Sequence, residues 1–207
     1  MRAITSVGEI LCSVGDSDYL FRPSLSAIDS LGSPKEIVEK FSALFTPPKF
    51  NPFFPLQSYR AWEREVMAIA YDVLVACCKV DATPLLGHMG SRWGSFVPGP
   101  VPSSDMVHLA RSLMRHGIIG VKPEGRAVKK PDAEYTPEFN ARDFVAQAIA
   151  HLGLSSAEAW NLTMTEFSGA MQSKFGKPET LPPVEEHDEA MSRLAEINRL
   201  RQYQVNK

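Results

Sequence analysis

The chain has 207 residues, 44% of them hydrophobic and 22% charged, with a formal net charge of −2. A chain of this length and composition is globular, and it buries roughly 70% of its unfolded surface without disulfide or metal staples. The near-neutral charge supplies no general attraction to nucleic acid or to acidic membranes, so neither is expected as a partner.

The first predicted element is a hairpin. Glu9-Ile10-Leu11-Cys12 and Tyr19-Leu20-Phe21-Arg22 flank the turn-rich Gly15-Asp16-Ser17-Asp18, and Pro23 ends the second strand. Gly8, Glu9, Gly15 and Asp16 interrupt this region, which lacks the apolar run of a signal peptide. Ser24 to Leu31 is a short predicted helix stopped by Gly32. Ser33-Pro34-Lys35-Glu36 opens the next helix: Ser33 caps it, Pro34 suits the first helical position and Glu36 closes a capping box. Ile37, Val38, Phe41, Leu44 and Phe45 form its apolar stripe.

Thr46 to Leu56 holds Pro47, Pro48, Pro52 and Pro55 and reads as an extended connector, pinned to a core by Phe50, Phe53 and Phe54. Ser58 to Val80 is the longest helical pattern. Trp62, Val66, Ile69, Val73, Ala76 and Val80 recur at helical spacing, and Met67, Ala70, Leu74 and Cys77 widen the stripe, which predicts a central, largely buried helix. Tyr71, Asp72 and Lys79 interrupt it, and no stretch reaches the ~18 apolar residues of a membrane span.

Asp81 to Pro102 reads as a long Gly/Pro-rich loop, in which Trp93 and Phe96 either form a binding lid or fold back on the core. Ser103 to Ile118 is a helix with Val107, Ala110, Leu113, Met114 and Ile118 on one side. A polar stretch from Val121 to Glu134 carries Lys122, Arg126, Lys129 and Lys130 and reads as a linker. Thr136-Pro137 opens another helix, with Phe139, Phe144, Ala148, Ile149 and Leu152 as its stripe and Gly153 as its stop. Beyond a second Pro-rich break, Val184 to Gln204 is a charged helix with a narrow apolar edge, exposed or partner-dependent.

The expected fold class is therefore mainly α: a helical domain with a small N-terminal β-hairpin, and a C-terminal helical subdomain. The expected divisions are 1–120 for the hairpin and helical domain, 121–135 for the linker, 136–177 for the small subdomain and 178–207 for the charged helix.

Catalytic and metal signals are weak. Cys12, Cys77 and Cys78 are odd in number with two adjacent, a poor disulfide framework and a mark of a reducing compartment. Cys77 and Cys78 diverge on a helix, so two core cysteines fit better than ligands converging with His88, His108 and His116 on one ion. Asp105 and His108 have the i,i+3 spacing of an acid–base pair and equally that of a solvated helix face. No nucleophile elbow, phosphate-binding loop, metalloprotease motif or dinucleotide-binding glycine pattern occurs. The expectation is no enzyme, no catalytic residue, no metal and no cofactor.

GLSSAEAWNLTMTEF, from Gly153 to Phe167, holds two capping boxes in tandem: Ser155 with Glu158, and Thr163 with Glu166. It therefore encodes a short helix, a step near Leu162-Thr163, and a second helix to about Phe175. Trp160, Met164, Phe167, Met171 and Phe175 lie at i,i+4 and i,i+3 spacing. Such a stripe is either core against the preceding helix or an adaptable recognition surface, since Met and Trp suit both.

The run Gly153-Leu154-Ser155…Trp160-Asn161-Leu162-Thr163…Glu166-Phe167 resembles the recurring C-terminal pattern of phage tail assembly chaperones, found in long-tailed phages and gene transfer agents. The N-terminal run Tyr19-Leu20-Phe21-Arg22-Pro23-Ser24, followed by Ala27-Ile28 and a helix after a glycine, resembles the same family, whose hairpin leads into a small helical domain. The resemblance covers both ends of the pattern and leaves the centre, with the Asp81–Pro102 loop, as an elaboration.

The resemblance implies a protein of the host cytoplasm that coats the apolar tail tape-measure protein, helps recruit tail tube subunits and leaves before the virion is complete. Self-association is a further contact open to it. Trp160, Met164, Phe167 and Met171 are the partner-binding candidates under this reading. The alternatives are a structural minor or completion protein of the tail, and a phage enzyme or DNA-associated protein using Asp105, His108 or the basic linker.

Overall fold

The computed structural model describes residues 3–47, 53, 55–89, 96–121 and 138–175. The fold is mainly helical, with a two-stranded antiparallel hairpin near the N-terminus and further helices in the C-terminal part. The described residues up to Lys174 form one compact unit. The expected linker, save Val121, and the expected helix at 178–207 lie outside the described residues, as does Trp93.

The hairpin pairs β1 (Ile10–Val14) with β2 (Ser17–Phe21), with Val14 opposite Ser17 and Ile10 opposite Phe21. The two-residue connection is Gly15-Asp16, and Gly15 has φ +58°, as the first position of a type II′ turn demands. Tyr19 and Phe21 point into the core. The chain then continues past β2: Phe21 bridges Cys78, and the Arg22 N–H donates to the Cys77 carbonyl at 2.8 Å.

Helix α1 (Leu25–Asp29) starts at Ser24, whose hydroxyl accepts from the Ala27 N–H at 3.2 Å. Helix α2 (Pro34–Phe45) carries the expected capping box: Ser33 Oγ accepts from the Glu36 N–H, and Glu36 Oε2 accepts from the Ser33 N–H at 2.7 Å. Helix α3 (Pro55–Cys77) begins three residues earlier than the apolar stripe suggests, because Pro55 needs no N–H in the first turn. It ends at Cys77, where the chain turns extended to meet β2. Val80, expected in the stripe, is therefore beyond the helix and 55% exposed.

The Asp81–Pro102 region is not a plain loop. Asp81 Oδ1 accepts from the Thr83 N–H at 2.9 Å, starting α4 (Thr83–Leu86), whose Leu85 and Leu86 are buried. Strands β3 (Gly87–Met89) and β4 (Phe96–Pro98) then pair antiparallel. Gly87 has φ +91°, and a Cβ there would lie 2.1 Å from the Val97 carbonyl oxygen, so the backbones meet too closely for a side chain. Phe96 does fold back onto the core, edge-on to Tyr71 with ring centroids 6.1 Å apart.

Helix α5 (Ser103–Met114) lies along α3 and continues through a wider π-type turn to Ile119, closed by the Gly120 N–H on the Arg115 carbonyl at 3.1 Å. Its inward face is Met106, Ala110, Leu113, Met114 and Gly117; Met106 is fully buried while Val107, expected inward, is half-buried. Gly117 sits against Ile28 and Pro23, where a Cβ would meet Ile28 Cδ1 at 2.7 Å.

Helix α6 (Ala141–Gln147) starts later than expected, at an Asn140 cap whose side chain accepts from the Arg142 N–H at 3.3 Å. Phe139 precedes it, buried, with its N–H on the Pro34 carbonyl at 3.0 Å. The helix buries Ala141 and Val145, and the turn after it buries Ala148, whereas Ile149 in that turn faces out at 41% exposure. A π-type turn ends at Gly153, which has the expected left-handed conformation, φ +71°.

Candidate interaction surface

The Gly153–Phe167 segment folds as its capping signals require. Helix α7 (Ser156–Asn161) opens on a complete box: Ser155 Oγ accepts from the Glu158 N–H, and Glu158 Oε2 accepts from the Ser155 N–H at 2.9 Å. These bonds, the Ser155 hydroxyl first and its N–H second, lower the Glu158 carboxyl below its usual range. The step falls at Leu162-Thr163. Helix α8 (Met164–Phe175) opens on the second box, with Glu166 Oε2 accepting from the Thr163 N–H at 2.8 Å and Thr163 Oγ1 accepting from the Glu166 N–H at 3.2 Å.

This step is stitched to the hairpin. The Leu25 N–H donates to the Leu162 carbonyl at 2.8 Å, and Ser24 bridges Thr163. Arg22 Nε donates to the Asn161 carbonyl at 3.1 Å, and its Nη2 reaches both oxygens of Glu166 at 2.9 and 2.7 Å. Its Nη1 donates to Glu9, whose other oxygen accepts from the Ile4 N–H at 2.8 Å. The Glu9 side chain is only 8% exposed, and Arg22 is the cation set against it.

Periodicity could not reveal Glu9 and Arg22 as partners of the tandem boxes. The signal that was present is a charge set directly between Phe21 and Pro23, in a run otherwise destined for the core, which requires a counter-charge from elsewhere.

The four candidate contact residues divide. Phe167 is 5% exposed, and its ring stands edge-on to Phe144, centroids 5.5 Å apart, while Phe144 stacks on Phe139 at 5.3 Å. Trp160, Met164 and Met171 are half-buried, resting on the core with part of each side chain open. The stripe thus has a buried anchor and an open margin.

Nearby, His116 is wedged between Gly8 and α8. Its Nδ1 lies 2.9 Å from Thr165 Oγ1, and burial, with the Arg115 charge second, lowers its pKa. Asp105 Oδ1 accepts from Ser104 at 3.2 Å, and no hydrogen bond joins Asp105 to His108 among the described residues. Cys77 is buried, and burial pushes its thiol up to about 12, with Cys78 adding to the shift. Among the described residues no group of three His, Cys, Asp or Glu side chains could hold a metal, and no helix is long and apolar enough to cross a membrane.

A family model described as a family of unknown function, DUF6246, matches residues 21–190, most of the chain. No curated protein and no solved structure matches it.

Proposed function

The chain belongs to the DUF6246 family, and we propose that it is a tail assembly chaperone of a long-tailed phage or gene transfer agent. In this role it is not an enzyme and takes no cofactor. It works in the host cytoplasm, binds the tail tape-measure protein and helps recruit tail tube subunits.

One observation carries the reading. The two segments that resemble the chaperone family, around Phe21-Arg22-Pro23-Ser24 and Asn161-Leu162-Thr163, are in direct contact, through Arg22 on the Asn161 carbonyl and Glu166, Leu25 on Leu162, and Ser24 on Thr163. Motif residues far apart in the chain have a shared physical reason to occur together: they build one joint. That joint orients α7 and α8 and holds the margin of Trp160, Met164 and Met171 partly open. Thioethers and an indole suit a chaperone's task, since they adapt to many registers of an apolar helix without committing to one.

The test is co-expression with the tape-measure protein encoded nearby. The expected result is a soluble tape-measure protein that co-purifies with this chain, with reduced yield for Trp160→Ala and Met171→Ala variants that keep wild-type circular dichroism. Wild-type yield from both folded variants removes this surface. Mass spectrometry of purified virions that finds the chain at stoichiometric copy number replaces the chaperone with a structural tail component.

A further inference from the structure

A second feature stands apart from the hairpin joint. His108, Arg111, Ser112 and Arg115 follow at i, i+3, i+4 and i+7, so they share one face of α5 and its π-type end. This face opens into a cleft of about 600 Å3 whose lining also includes Phe45 and Trp62. Among the described residues no carboxylate lines it. Among the described residues no ion pair engages Arg111 or Arg115.

Both guanidinium groups are held at one side and open at the other. Arg111 Nε donates to the Leu44 carbonyl at 2.7 Å, which fixes the stem and leaves the two Nη groups with donors to spare. The Arg115 guanidinium lies over the Phe45 ring, 5.6 Å from its centroid. The Trp62 indole is anchored too, by its Nε1–H on the Thr46 carbonyl at 3.3 Å. The cleft thus combines two positioned forks, an imidazole and an immobilised aromatic wall. Its volume falls within the roughly 300–1,000 Å3 of small-ligand sites.

We propose that this cleft binds a small organic phosphate carrying a flat ring, of the nucleotide class. Arg111 and Arg115 take the phosphate oxygens, His108 lies at the mouth, and the ring rests against Trp62. Guanidinium forks match phosphate geometry, and an aromatic wall matches a base. A free nucleotide fits better than a nucleic-acid strand, because the basic groups gather in one concavity on a chain of net charge −2 instead of following a track.

The experiment is isothermal titration of the full chain with adenosine 5′-diphosphate and with inorganic pyrophosphate. The expected result is micromolar binding of the nucleotide, with pyrophosphate about tenfold weaker for want of the ring. Arg115→Met weakens nucleotide binding about tenfold through loss of a charge-assisted contact. Ser112→Asp, which puts a carboxylate at an exposed position in the cleft, abolishes it, while Arg142→Met on α6 leaves it unchanged. Thermal melts of each variant establish that it is folded. No binding of the nucleotide at millimolar concentration overturns the proposal, as does equal affinity for pyrophosphate or undiminished binding by folded Ser112→Asp. Tighter binding of a single-stranded oligonucleotide or an acidic peptide than of the nucleotide also overturns it. None of these outcomes bears on the co-purification test of the chaperone reading, which concerns a different surface.

Discussion

Arg22 and Glu166, 144 residues apart, are joined by a single guanidinium nitrogen that reaches both carboxylate oxygens, at 2.9 and 2.7 Å. The same carboxylate accepts the Thr163 N–H at 2.8 Å, so one side chain both starts a helix and docks it. Arg22 in turn balances Glu9. Replacing Arg22 with Ala leaves Glu9 buried without its counter-charge, and we expect a loss of about 3 kcal/mol in urea unfolding. Glu166→Gln keeps the shape and some of the hydrogen bonds and should cost about half as much. Equal stabilities of the two variants would contradict the central place of Arg22.

Phe167 and Trp160 should separate by stability. Phe167→Ala removes the ring that closes the Phe139–Phe144–Phe167 row and should cost about 3–5 kcal/mol. Trp160 is half-buried, so Trp160→Ala should cost clearly less and act mainly on partner capture. Chemical denaturation of both variants measures the first effect, and co-purification the second.

His116 gives the fold a pH dependence. Burial, with the Arg115 charge second, holds its folded pKa below the ordinary imidazole value of 6.5, so the unfolded chain binds more protons in the interval between the two values. The neutral imidazole's contribution is therefore complete above about pH 6.5 and is lost as pH falls toward the folded pKa. Unfolding curves taken across this range should show a smaller wild-type advantage over His116→Asn at acid pH than at neutral pH. A constant difference would mean that the imidazole titrates alike in both states.

Val145 on α6 and Ile149 in the π-type turn after it, one inward and one outward, test the face assignment. Ile149→Lys, at a position 41% exposed, should change stability by less than about 0.5 kcal/mol. Val145→Lys, at 5% exposure, should unfold the chain or shift its melting temperature sharply.

Gly87→Ala should be among the most damaging single-atom changes. The added carbon meets the Val97 oxygen at 2.1 Å and the Gly99 nitrogen at 2.5 Å, all backbone, at φ +91°. Neither neighbour can rotate away, and a melting point within a degree or two of wild type would show that the β3–β4 pairing yields easily.

Local chemistry made much of this legible. Ser33 with Glu36, Ser155 with Glu158 and Thr163 with Glu166 are closed within one helical turn, and all three boxes form. Gly153 stops its helix for the same local reason. What depends on distant chain was hidden. Val107 and Met106 are both apolar, and only the position of α3 and α2 decides that Met106 turns inward. Phe139 looks helical, yet its N–H is taken by Pro34, from a helix far upstream. The β3–β4 pairing is three residues a side, too short for an alternation signal. Arg22 could be seen as a charge in an apolar run, but nothing short of the fold names its partners, and the cleft beside α5 needs three helices before it exists.

The stitch between Leu25 and Leu162 has a consequence for the order of events at the ribosome. At roughly 5–20 residues per second, the ~140 residues between the two sides of the joint take about 7–30 s to emerge. Glu9 and Arg22 leave the ribosome long before that. For that interval Arg22 and the Leu25 N–H lack the partners that Asn161, Leu162 and Glu166 supply, so the joint closes only once Glu166 has emerged. Stalled chains ending before Asn161 should be cleaved by protease around Ser24–Ser30, and chains long enough to present Phe175 outside the exit tunnel should resist. Protection of the shorter chains would mean that the hairpin finds an earlier partner.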